Sequence, residues 1–155
     1  MKRITICLAL LMMILSASIA SASLSVGVDP VANANSLAVR YDFTKDIIGK
    51  AGINYNNITV GGASTSTTGY GAQLGYLLPM RLGAARPLVA VNYSNDGAAT
   101  ATSTISLRLG AEVMVADGVI LSAGITPYYS QSVGGATISG ISSDQVWLAF
   151  YCKVM

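Results

Sequence analysis

From Thr104 to Val115 the chain alternates. Ile105, Leu107, Leu109, Ala111, Val113 and Val115 occupy one phase; Thr104, Ser106, Arg108, Gly110, Glu112 and Met114 occupy the other. Successive side chains of a strand point to opposite faces, so this segment predicts a strand with one oily face and one polar face. The pattern recurs at Ser36–Phe43, Ile47–Tyr55, Tyr70–Leu78, Val119–Tyr129 and Gln145–Val154, is shorter at Leu88–Tyr93 and weakest at Leu24–Val28. Eight strands are expected. No segment after residue 22 holds a run of about 18 apolar residues, so no transmembrane helix is expected.

The connections differ in length. Thr44–Asp46 and Ala116–Gly118 read as tight turns, the Asp-Gly pair suiting a hairpin. Asp29–Asn35, Gly61–Thr67, Asn95–Ala101 and Gln131–Ile141 read as longer loops rich in small and polar residues. Short turns then fall at one end of the strands and long loops at the other. Pro79–Arg86 departs from the rule, with eight residues where a short turn is expected.

The first 22 residues read as a cleaved secretory signal peptide. Lys2 and Arg3 give a positive start, Ile4–Leu15 is apolar apart from Thr5, and small residues end in Ala20-Ser21-Ala22. The remaining residues, 23–155, form one domain with seven basic and seven acidic side chains. Its only cysteine is Cys152, so it forms no internal disulfide and the residue reads as a small apolar side chain. Only 10% of the chain is charged, against about 25% in ordinary soluble domains. A net charge of +2 is no basic footprint, so nucleic acid is not an expected partner.

Alternation is shared by a soluble β-sandwich, whose oily faces pack on each other. Two features favour a closed barrel in a membrane. The polar phase is mostly Gly, Ala, Ser and Thr with isolated charges, which suits a narrow interior. Aromatic residues share the apolar phase near strand ends: Tyr55, Tyr70, Tyr93 and Tyr129 beside the long loops, and Tyr41, Phe43, Tyr76 and Phe150 toward the opposite end. Two such belts are expected at lipid–water interfaces. Trp147, Tyr128 and Tyr151 have the other phase and read as interior or rim residues.

The hairpin Ser36-Leu-Ala-Val-Arg-Tyr-Asp-Phe-Thr-Lys-Asp46 followed by Ile47–Tyr55, aromatic at its turn, resembles the small outer-membrane β-barrels of Gram-negative bacteria of the eight-stranded OmpA/OmpX-like type. The resemblance covers residues 23–155 as a pattern. It implies an eight-stranded antiparallel up-and-down transmembrane barrel in the outer membrane, reached through the signal peptide. It also implies outer-membrane lipid and lipopolysaccharide as surroundings, the barrel assembly machinery as a partner during biogenesis, and a monomer. It implies no activity. These proteins usually end in an aromatic residue, whereas this chain ends Phe150-Tyr-Cys-Lys-Val-Met155.

An eight-stranded barrel is just wide enough for its own side chains. With a three-residue turn at Thr44–Asp46, Arg40 faces Lys50 and Asp42 faces Ile48, so Asp42 is expected to bridge both cations. Arg108 and Glu112 join from another strand. Arg40, Asp42, Lys50, Arg108 and Glu112 are therefore expected to form a lumen charge network, since charges in a narrow interior must be paired or wetted. Such a network reads as a polar plug or as a path for ions. The chain has no histidine, which removes a histidine-based catalytic triad. No zinc or phosphate-loop motif is present, so no metal or other cofactor is expected. Three functions stand: a structural or surface-interaction barrel without catalysis, a minor porin-like channel for ions or very small solutes, and a secreted β-sandwich binding module.

Overall fold

The computed structural model describes residues 23–32, 36–60, 63–142 and 145–154. The signal peptide expected at residues 1–22 lies outside them. Among the described residues the strands are β1 (Ser23–Asp29), β2 (Ser36–Asp42), β3 (Ile47–Val60), β4 (Ala63–Leu77), β5 (Arg86–Asn95), β6 (Thr102–Ala116), β7 (Val119–Val133), β8 (Ala136–Ile141) and β9 (Val146–Lys153), with one 3-10 turn at Pro30–Ala32. Sequential neighbours from β1 to β7 pair antiparallel, and β9 pairs with both β7 and β1. The sheet therefore closes into an up-and-down barrel of eight strand positions, which removes the free edges along its wall. β8 and β9 run in the same direction beside β7 and share the eighth position. One closed sheet replaces the sandwich alternative, because no second sheet among the described residues covers its outer face.

The split of the eighth position has a local cause. Opposite β6, the partner of Leu107 is Tyr128 and that of Leu109 is Ile125, so β7 carries an extra residue there. Pro127 sits in that bulge, and it has no N–H to give a ladder. Its carbonyl instead accepts Ser142 N–H at 3.1 Å, and Thr126 N–H reaches Gln145 O at 2.9 Å. The bulge also reverses the phase of β7 beyond it. Tyr129, expected in an outward belt, lines the interior, and Tyr128, expected inside or at the rim, is exposed on the outer face.

Two expected loops are strands. Gly61–Thr67 belongs mostly to β4, whose hairpin with β3 continues until Val60 pairs with Ala63. Gln131–Ile141 is a hairpin of β7 and β8 about Gly134 and Gly135, whose φ values of 55° and 88° favour glycine. Both extensions are mostly Ser, Thr and other exposed residues on either face. A strand exposed on both faces needs no oily phase, so alternation stops before the strand does.

The expected loop Asp29–Asn35 does not project outward either. Its described part, Pro30–Ala32, folds into the barrel against β3, β4 and β5, with Val31 and Ala32 fully buried. At the other end, the Pro79–Arg86 connection is pinned to the β2–β3 turn. Arg86 donates to Lys45 O and Asp46 Oδ1, each at 2.6 Å. The β5–β6 loop is ordered by Asp96, whose Oδ1 accepts Ala98 N–H at 3.0 Å and Thr102 N–H at 2.9 Å. Slight burial opposes ionisation, but these bonds prevail and hold the carboxyl below its ordinary range. A depressed folded pKa stabilises the loop above the unfolded value of about 3.9 and loses that support as pH falls through the folded one. The amide resonances of Ala98 and Thr102 are expected to titrate together at a pH below 3.9, and the Asp96→Asn variant to flatten both curves.

Candidate functional site: a charged and plugged lumen

Inward residues of β1 to β3 follow directly from the alternation: Ser25, Gly27 and Asp29; Ser36, Ala38, Arg40 and Asp42; Ile48, Lys50, Gly52 and Asn54. Arg40 pairs across the hairpin with Lys50, and Asp42 with Ile48. The five charged residues expected in the interior lie together there, but their partners differ in part from expectation. Arg40 donates through one terminal nitrogen to both Glu112 oxygens, at 2.6 and 2.7 Å, and through Nε to Asp42 at 2.7 Å. Asp42 does not bridge to Lys50; its second oxygen accepts Ser23 Oγ–H at 2.5 Å. Lys50 turns the other way, to Asp29 Oδ2 at 2.9 Å, with Glu112 at 3.8 Å. Asp29, at the end of β1 where the chain turns inward, takes the place expected for Asp42 beside Lys50.

Asp29 is the group that sequence reasoning missed. Its side chain is 0% exposed. It accepts hydrogen bonds from Lys50 Nζ, from Arg108 at 3.0 Å and from Tyr151 Oη at 2.7 Å. With it the interior holds Arg40, Lys50 and Arg108 against Asp29, Asp42 and Glu112. The five residues alone would leave one buried positive charge unmatched, which a low-dielectric interior penalises heavily. The available signal was the phase of β1: Asp29 follows Ser25 and Gly27 on the face opposite Val26 and Val28.

The inward-folded turn is held by the same network. Arg108 donates to Pro30 O at 2.5 Å and Asn92 Nδ2 to Val31 O at 3.3 Å. Gly71 faces this turn, and a Cβ there would collide with the Val31 carbonyl. Glycine is required at this position because two backbones approach closely. Below the network, Ile48, Leu77, Leu88 and Ile120 are buried inside the barrel. Trp147 and Tyr151 fill the centre, with Lys50 Nζ 4.9 Å from the Tyr151 ring centroid and Arg108 5.5 Å from that of Trp147.

Charge pairs and plug lie between two cavities. The one toward the short turns, about 400 Å³, is lined by Arg40, Glu112, Leu77, Arg81, Met114 and Ile120. The one toward the long hairpins, about 380 Å³, reaches down to Pro30, Arg108 and Trp147. Of the eight aromatics expected in belts, Tyr55, Tyr70, Tyr76, Tyr93 and Phe150 are exposed on the outer face and Tyr41 and Phe43 are half-buried. Phe43 lies over Gly49 and meets Tyr41 edge-on, with centroids 5.0 Å apart. Tyr129 is the exception already described. Among the described residues no group of three potential metal-ligating His, Cys, Asp or Glu side chains comes together. No protein-family model, curated protein or solved structure matches this chain.

Proposed function

We propose that this chain is an integral outer-membrane β-barrel of the OmpA/OmpX-like type, with a structural or surface-interaction role, a closed lumen and no catalysis. The observation that supports it is an inside-out distribution of side chains. Leu37, Ile53, Leu74, Val91, Ile105 and Leu148 stand exposed around the outer face, while Asp29, Arg40, Lys50, Arg108 and Glu112 are buried. Water on the outside would reverse that arrangement, whereas hydrocarbon outside a self-satisfied closed sheet favours it. On this reading residues 1–22 direct export, the assembly machinery inserts residues 23–155, and lipid and lipopolysaccharide surround a monomer. The buried ion pairs, the Pro30–Ala32 turn and the apolar side chains below them all fill the lumen, which favours the plug over the minor channel.

Detergent-extracted protein is expected to migrate faster on a gel unheated than boiled, as a closed barrel does. Recovery in the soluble fraction without detergent, with no heat-dependent shift, would refute the membrane reading. In planar bilayers the protein is expected to give no large, steady conductance steps; regular steps would refute the plug and leave the barrel standing.

A further inference from the structure

The cavity toward the long hairpins has the make-up of a binding site rather than of a packed interior. At about 380 Å³ it falls at the lower end of small-molecule pockets, roughly 300–1,000 Å³. Its wall carries Asn92, Ser94, Thr104, Ser106 and Thr126, with Tyr129 and Trp147 as aromatic surfaces. Asn92, Ser94, Ser106 and Thr126 are each more than nine-tenths buried. Asn92 and Arg108 of its lining are fixed by bonds to the inward-folded turn and Asp29.

The chemistry of the wall selects the occupant. Among the described residues the only charge on it, Arg108, is matched by Asp29 at 3.0 Å, so an anion gains no unpaired cation. An apolar ligand would leave the hydroxyls and amides unsatisfied, at about 1–3 kcal/mol for each buried group. Hydroxyl and amide groups facing aromatic surfaces instead match a molecule with many hydroxyls and an apolar C–H face. We propose that this vestibule binds a small neutral polyhydroxylated molecule, a monosaccharide or polyol, with the side chains of Asn92, Ser94, Thr104, Ser106 and Thr126 exchanging hydrogen bonds with its hydroxyls and Tyr129 and Trp147 meeting its C–H face. The inference rests on the closed barrel and its interior, not on the membrane around it.

Trp147 is the chain's single tryptophan and lines this cavity, so its emission reports occupancy directly. The folded full-length barrel in detergent is titrated with glucose, with sorbitol and with glucuronate, and each titration is repeated by calorimetry. Saturable binding of glucose or sorbitol is expected, with glucuronate at least about tenfold weaker. Asn92→Leu is expected to weaken binding by about tenfold or more, the loss of about one hydrogen bond. Thr104→Val, which leaves the contacts of the inward-folded turn intact, keeps the test decisive if Asn92→Leu does not fold; it is expected to weaken binding several-fold. No saturable binding by either method, equal or tighter binding of glucuronate, or unchanged affinity in both variants would overturn the proposal.

Discussion

Replacing Asp29 by alanine is expected to cost the folded barrel about 3–5 kcal/mol, the penalty for stranding a buried charge by removing its partner. Lys50 and Arg108 both lose their carboxylate, and Tyr151 loses its acceptor. Among the described residues the one carboxylate left near Lys50 is Glu112 at 3.8 Å, which already accepts two hydrogen bonds from one nitrogen of Arg40. Asp42→Ala supplies the contrast. Its side chain is 20% exposed and Arg40 keeps Glu112, so a loss of about 1 kcal/mol is expected, close to that of a surface pair. Urea unfolding of the refolded protein measures both. Equal losses would mean that Asp29 does not organise the interior. Combining Asp29→Ala with Lys50→Met is expected to recover part of the loss, since the buried cation goes with its partner. Asp29→Ala also loosens the Pro30–Ala32 turn, because Arg108 is anchored on Asp29 while it holds Pro30.

Leu74→Arg is expected to destabilise the protein in lipid vesicles by about 2–4 kcal/mol, the cost of a cation on the lipid face near the bilayer midplane. Leu74 is 61% exposed and lies on β4 between Tyr70 and Tyr76, with Val91 as its partner on β5. If that face met water, an exposed leucine could become arginine within about 0.5 kcal/mol. Ser64→Arg in the exposed extension of β4 is the matched control and is expected to cost about 0–1 kcal/mol. A Leu74→Arg loss no larger than the control's would remove the membrane reading while leaving the barrel and its interior intact.

The architecture was legible wherever one face of a strand is apolar. Thr104–Val115 and Ile47–Tyr55 showed it because most outward residues are oily and most inward ones are small, polar or charged. Where that contrast ends, the reading ended too. The Ser- and Thr-rich start of β4 and the β8 hairpin are strands exposed on both faces. Pro127 was visible as a residue, but the extra residue in β7 is defined only against β6. Tyr128 and Tyr129 therefore exchanged faces without any change in the local pattern.

The charged interior shows the same division. Strand phase and a three-residue turn were enough to put Arg40, Lys50 and Asp42 on one face of one hairpin, since register there is local. Asp29 and Gly71 needed the tertiary structure. A residue that ends a strand can send the chain outward or inward, and a glycine in a strand can be an idle small residue or the only one that fits beneath a crossing backbone. By itself the sequence determined strands and their faces, because these follow from the two-residue period of extended chains, while the choice of a closed barrel over a sandwich rested on the small polar phase and the placement of the aromatics. The choice of Asp29 as the shared counter-charge, the inward fold of Pro30–Ala32 and the two cavities it separates were decided only on closure, because residues far apart in the chain meet across the lumen and nowhere earlier.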